Sequence, residues 1–214
     1  MSDVMIYYME NASYVFEQFI RHFLISIYGV LFASIVAIPL GFFVARRRKL
    51  SRLTISIANV MQTIPSLAML AILMFLIGTG PNTVVFAVFL YAILPILKNT
   101  VGGINSVTPE LVDAATGMGM TKIQLMTKVE FPLAISIIMG GIRNALVLAI
   151  GVTAVGTFIG AGGLGDIITR GITVANGSPI IIAGAIPTAL MAVLADFILG
   201  AIENKLKPRS FTKI

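Results

Sequence analysis

The sequence predicts an all-α integral membrane protein with about five transmembrane helices. Three observations predict it. Of the 214 residues, 57% are hydrophobic and only 11% are charged, where a soluble domain typically carries about 25% charged residues. The missing charges leave long blocks. There are none from Phe23 to Ala45 or from Leu53 to Leu97, only Arg143 from Leu133 to Gly165, and only Asp196 from Gly171 to Ile202. The basic residues that remain gather at the edges of these blocks. Arg46, Arg47, Arg48, Lys49 and Arg52 follow the first, and Lys205, Lys207, Arg209 and Lys213 follow the last. A helix needs about 20 apolar residues to cross a bilayer. The net charge of +6 therefore reads as membrane topology, and no nucleic-acid partner is expected.

The expected spans cover about 21–45, 55–77, 82–97, 133–158 and 179–202, within one transmembrane domain, 1–214. The first is the charge-free run that the arginine block closes. The second and third come from one uncharged stretch, split where Gly78-Thr79-Gly80-Pro81-Asn82 favours a turn. The fourth opens after Pro132 and the fifth runs to Ile202. Pro39, Pro65, Pro95 and Pro187 fall inside or near spans, where neighbouring helices can satisfy the carbonyls they free. Lys and Arg set the orientation. Residues 46–54, 98–132 and 203–214 carry all of them except Arg21, Arg143 and Arg170. That places the N-terminus outside and the C-terminus in the cytoplasm. His22 then reads as an interfacial residue at the outer edge of span one rather than a proton relay. There is no cysteine, so no thiol chemistry is available. Asp3, Glu10 and Glu17 stand where a cleavable signal would want a basic start.

The loop over 98–132 is more than a linker. It contains Pro109-Glu110-Leu111-Val112-Asp113-Ala114-Ala115-Thr116-Gly117-Met118-Gly119, then an amphipathic stretch from Ile123 to Val129, then Glu130-Phe131-Pro132. Thr108 and Pro109 can open a helix, and Gly117 and Gly119 can end it in a tight reversal. The physical reading is a short helix held off the membrane surface, shaped to dock into a groove on a partner.

Here the chain resembles a known family. Binding-protein-dependent ABC importers carry a permease loop written Glu-Ala-Ala, three residues, Gly, nine residues, Ile, any residue, Leu-Pro. This chain gives Asp113-Ala114-Ala115, Gly119, Val129 and Phe131-Pro132 at the same spacing, with Asp, Val and Phe as conservative departures. Gln62-Thr63-Ile64-Pro65-Ser66-Leu67-Ala68, Leu94-Pro95-Ile96-Leu97-Lys98-Asn99-Thr100, Met139–Ala145 and Ile159–Gly165 look like segments of the subfamily that imports glycine betaine, carnitine, choline and related quaternary amines. The methionine permeases are similar but fit less well at the Gln-Thr-Ile-Pro segment. The resemblance implies a type I importer permease with a cytoplasmic coupling helix, and an osmoprotectant transport role. It implies a second permease chain, identical or homologous, cytoplasmic ATPase subunits and an extracellular substrate-binding protein or domain. Glu110, Asp113, Ala114, Ala115, Gly117, Gly119, Val129, Phe131 and Pro132 would form the ATPase-coupling loop.

Other residues are open to more than one reading. Gly160-Ala161-Gly162-Gly163-Leu164-Gly165 satisfies the dinucleotide pattern, but it follows a membrane helix and residue 185 is Ala. Its glycines are expected to turn the chain at the outer mouth of the pathway, or to let helices pack closely. Gln62 and Pro65 are candidate pathway or structural residues. Arg143 and Asp196 lie inside antiparallel spans four and five, where charges are expensive and face a cavity or a partner. They can pair, or Arg143 can face the pathway. No aromatic cage for a quaternary ammonium is evident, which fits selectivity held in a separate binding protein. The chain is not expected to be an enzyme or to hold a cofactor or metal. It has no Gly-x-x-x-x-Gly-Lys-Ser/Thr motif, so ATP hydrolysis belongs to a partner. An ion-coupled secondary transporter would want deep carboxylates or histidines, and an intramembrane enzyme would want a His-Glu-x-x-His pair or a cysteine nucleophile. The sequence offers only Asp196.

Overall fold

In the computed structural model, which describes residues 2–207, the elements are all helical. Helix α1 spans Ser2–Ala45 and α2 spans Arg48–Thr63. Helices α3 and α4 follow at Ser66–Ile77 and Pro81–Asn105. Helix α5 is Pro109–Gly117 and α6 is the single turn Lys122–Leu125. A π-helical turn, Met126–Glu130, joins α6 to α7, Phe131–Val155. A 3-10 turn at Gly156–Ile159, α8 at Leu164–Thr173 and α9 at Ser178–Leu206 complete the described chain. Four of these segments are long and apolar enough to cross a membrane, and the bent pair α2–α3 makes up to five. Arg209 and Lys213, counted above among the flanking cations, lie outside the described residues.

Helix α4 is the centre of the bundle, packed between α1 and α7. Val84, Ala87, Val88, Ala92, Ile96 and Leu97 of α4 are fully buried. Small residues let the helices come this close. A Cβ on Gly29 of α1 would stand 2.3 Å from Val88 Cγ1, and one on Gly141 of α7 would stand 2.9 Å from the Pro95 carbonyl oxygen. The outward faces of α3 and α9 are apolar and exposed, as at Phe75 and Phe197. Such faces suit lipid, where backbone groups must be satisfied within the helix itself.

The structure departs from the expected spans in four places. The charge-free 55–77 segment is two helices bent by 96° at Ile64-Pro65. Pro65 has no N–H and forces its predecessor into extended backbone, and Ile64 sits at φ −67°, ψ 126°. Span three runs on to Asn105, so residues 98–105 of the expected loop are helix. Helix α1 begins nineteen residues before the expected start at 21, with a kink at Asn11. Helix α8 was not expected, because its polar Asp166 and Arg170 lie in what reads as a loop.

Candidate functional site

The arginine cluster marks one end of the bundle, called here the basic end, and the glycine reversal marks the other. The loop after α4 lies at the basic end. Pro109 occupies the first position of α5, Thr108 is extended before it, and Glu110 sits in the first turn, where a carboxylate suits the helix dipole. Leu111, Asp113, Ala114, Gly117 and Met118 are exposed, and Ala115 is buried. Gly119 then adopts φ +79°, a left-handed conformation that a side chain would strain. Thr121 starts α6 with a capping box: its hydroxyl accepts from the Gln124 N–H at 3.3 Å, and Gln124 Oε1 accepts from the Thr121 N–H at 2.8 Å. The result is a short, mostly solvent-facing helix carried on a defined support.

That support is fastened to α1. Arg46 donates from Nη2 at 2.6 Å and from Nε at 3.0 Å to Glu130 Oε1, and Glu130 is buried. Beside it the Phe42 and Phe131 rings lie 6.0 Å apart. Val129 is half-buried and Pro132 exposed. The π-turn at Met126–Glu130 is the kind of irregularity often found at functional sites. Sequence reading left Glu130 as a position open to any residue and Arg46 as a topology charge. The tie between them was invisible because it joins elements 84 residues apart.

The Gln-Thr-Ile-Pro and Leu-Pro segments meet in the bundle. Pro95 lacks an N–H, so the carbonyl of Tyr91, four residues earlier, loses its helical donor. Gln62 Nε2 donates to that carbonyl at 3.3 Å. The Tyr91 hydroxyl in turn donates to the carbonyl of Ile64, at the α2–α3 break. Two proline-made defects thus satisfy one another. The same device recurs at Pro187, which frees the Ala183 carbonyl, and Tyr8 donates its hydroxyl there at 3.0 Å. A cleft of about 440 Å³ opens beside the first pair, lined by Gln62, Pro95, Lys98, Asn99, Ile137 and Asn144 among others.

At the opposite end, Gly160, Gly162 and Gly163 have φ +77°, +71° and +86°. The reversal is held by α1. Gln18 Oε1 accepts from the Gly163 N–H at 2.7 Å, and His22 Nδ1 accepts from the Leu164 N–H at 3.2 Å. Because Nδ1 accepts, the imidazole carries its proton on Nε2, which donates to the Ile150 carbonyl at 3.0 Å. His22 is 0% exposed. It is a neutral structural bridge rather than the interfacial residue expected. Gly165 is tightly enclosed, since a Cβ there would stand 2.0 Å from the Ala154 oxygen. Nearby, Tyr14 and Arg170 both donate to Asp166. Burial raises the Asp166 pKa, but these bonds and the Arg170 charge outweigh it and hold the carboxyl below its usual range.

Arg143 and Asp196 are brought together in a two-point pair, Nε to Oδ1 at 2.5 Å and Nη2 to Oδ2 at 2.6 Å. Glu203, about two turns further along α9, adds a third contact at 3.5 Å from Nη1. Its spacing of seven from Asp196 on one helix face was the sequence signal for it. All three groups are partly exposed.

Residues 37–208 match the family of binding-protein-dependent transport system inner membrane components. The chain is 60% identical over 202 residues to the carnitine transport permease protein OpuCD of Listeria monocytogenes serotype 1/2a (strain 10403S), covering 94% of this chain and 91% of that one. In Bacillus subtilis (strain 168), two permease proteins of one glycine betaine/carnitine/choline transport system are similar to it. OpuCD is 57% identical, covering 94% of this chain and 88% of that one. OpuCB is 38% identical, covering 98% and 96%. A solved inward-facing methionine ABC transporter, MetNI, superposes with a TM-score of 0.82 at 20% identity, covering 91% of this chain and 96% of that one, and shares the fold.

Proposed function

The chain belongs to the family of binding-protein-dependent transport system inner membrane components, and we propose that it is the permease of an ATP-driven importer for quaternary-amine osmoprotectants such as carnitine, glycine betaine or choline. The substrate class rests on relatives at 53–60% identity that carry those solutes in their names. A methionine-type substrate is less well supported, because MetNI shares only 20% identity. The second permease is read as a homologous chain rather than an identical one. The Bacillus system has two different permease proteins, and this chain is closer to one of them, at 57% against 38% identity. The N-terminus lies outside and the basic end faces the cytoplasm, in keeping with the distribution of Lys and Arg.

The observation that carries the mechanism is the exposed helix α5 on a support tied to α1 through Glu130 and Arg46. Asp113 to Gly119 would seat in a cytoplasmic ATPase. Closure of two ATPases would then push α5, and the π-turn would pass the displacement to α1 and α7 together. The spans would rock between states open to either side, while an external binding protein delivers the solute.

One experiment separates docking from transmission. In the complex with its ATPase and binding protein, Asp113→Lys should lose co-purification of the ATPase. Glu130→Gln should keep the ATPase but lose most solute-stimulated ATP hydrolysis. Normal coupling in both variants would overturn the reading.

A further inference from the structure

We propose that the cleft between α2, α4 and α7 is a carboxylate-recognition site on the solute's route, with Lys98 as the residue that distinguishes zwitterionic betaines from solutes lacking a carboxylate. The inference rests on the quaternary-amine reading above and names which part of the solute the permease itself grips.

Lys98 differs from the three arginines that carboxylates hold in place. Arg143 is paired with Asp196, Arg46 with Glu130, and Arg170 with Asp166. Among the described residues Lys98 has no carboxylate within ion-pair distance. It stands on α4 (Pro81–Asn105), roughly 26 Å from the start of the helix and roughly 10 Å from its end. Across a hydrocarbon core about 30 Å thick that places it near the basic end, where its exposed side chain borders the cleft. Gln62 of α2, Asn99 of α4 and Asn144 of α7 converge on the same cleft. Three helices would not each turn an amide toward hydrocarbon, where an unsatisfied polar group is costly.

The chemistry of the lining selects one end of a betaine. A quaternary ammonium has no N–H and gains nothing from hydrogen-bond acceptors. A carboxylate accepts from Lys and from amide NH₂ groups, and charge-assisted bonds of this kind are the strong ones. Asn99 commits an NH₂ hydrogen to the Pro95 carbonyl at 2.8 Å, and Gln62 commits one to Tyr91. Asn144 makes no hydrogen bond among the described residues and is exposed. Lys98 and Asn144 are therefore the donors with capacity to spare. Leu94 and Ile137 supply apolar wall on which methyl groups of the ammonium can rest. The cleft volume of about 440 Å³ lies in the range of small-molecule sites. A lysine in the same place repels a bare quaternary cation, so the site favours a solute that brings its own negative charge.

The test uses the complete importer in proteoliposomes, with uptake of glycine betaine, carnitine and choline measured side by side. Lys98→Met should lower the ratio of betaine or carnitine uptake to choline uptake by about tenfold or more, the worth of a charge-assisted hydrogen bond. Lys98→Arg should restore much of that ratio. Asn144→Asp, which sets a repelling carboxylate beside Lys98, should shift the ratio the same way and guards against a folding defect in the first variant. Equal losses for all three solutes would make Lys98 structural. No change in the ratio would leave it a snorkelling headgroup contact. Either result overturns the inference while leaving the importer reading intact. A wild type that imports none of the three overturns the functional reading, and the inference with it.

Discussion

Gln62→Leu should destabilise the protein in a way that Pro95→Ala repairs. Pro95 removes one helical N–H, and the Tyr91 carbonyl it frees is held by Gln62 Nε2 at 3.3 Å. Interhelical hydrogen bonds in membrane proteins average about 0.6 kcal/mol with a maximum near 1.7, and an orphaned buried acceptor costs about 1–3 kcal/mol. A bond of this length belongs at the weaker end, so the expected loss is about 1 kcal/mol. For a chain of this size that is about 2–4 °C in Tm. In the Pro95→Ala background the N–H returns to the carbonyl and Gln62 is no longer needed, so Gln62→Leu should then cost well under half as much. Tyr91→Phe is the control. Its hydroxyl serves the Ile64 carbonyl at the other break, which Pro95→Ala does not touch, so its loss should be the same in both backgrounds. Thermal unfolding of the purified complex in detergent reads all of these as a double-mutant cycle. If Gln62→Leu costs as much in the Pro95→Ala background as it does with Pro95 in place, the exchange of a side-chain donor for a missing backbone donor is not what the contact does.

Arg143→Ala and Asp196→Ala should each lower the midpoint of thermal unfolding, because each leaves its partner's charge alone within a span. The double variant should lose less than their sum, since the two-point pair leaves each partner stranded without the other; additive losses would break the pair. Single cysteines placed in this cysteine-free chain should be labelled from outside intact cells at position 10 and not at position 50; the reverse pattern would invert the proposed orientation.

What the sequence made legible depended on local signals. Charge-free runs bounded by basic clusters located the apolar segments, because exclusion of charge from hydrocarbon acts on each residue separately. The loop spacing from Asp113 to Pro132 was legible for a similar reason, since a short helix, a left-handed glycine and a restart each have local chemistry. The 96° bend at Pro65 was half-legible. The proline was visible, but an uncharged run of 45 residues from Leu53 to Leu97 reads by hydropathy as two plain crossings. Helix α8 was hidden because Asp166 and Arg170 satisfy one another four residues apart, so polar residues that look like loop are in fact folded.

The polar contacts between helices were not legible, because hydropathy says nothing about partners. Gln18 and His22 sit on α1 with no sign in their own neighbourhood that they serve amides more than 140 residues away. Yet part of this was recoverable by asking where each missing backbone bond must go. A proline inside a span frees the carbonyl four residues earlier for a donor from elsewhere. Gln62 reaches it for Pro95 and Tyr8 for Pro187. In each case a side chain from another helix completes a bond that the proline removed. Pro95 and Pro187 therefore do more than bend the spans: each of the two specifies a neighbour. The donor and the defect must stay together if the carbonyl is to remain satisfied. It follows that α2 with α4, and the start of α1 with α9, should move as paired units in the proposed rocking of the spans, and that the Arg46–Glu130 tie is where a push from the proposed coupling loop would enter.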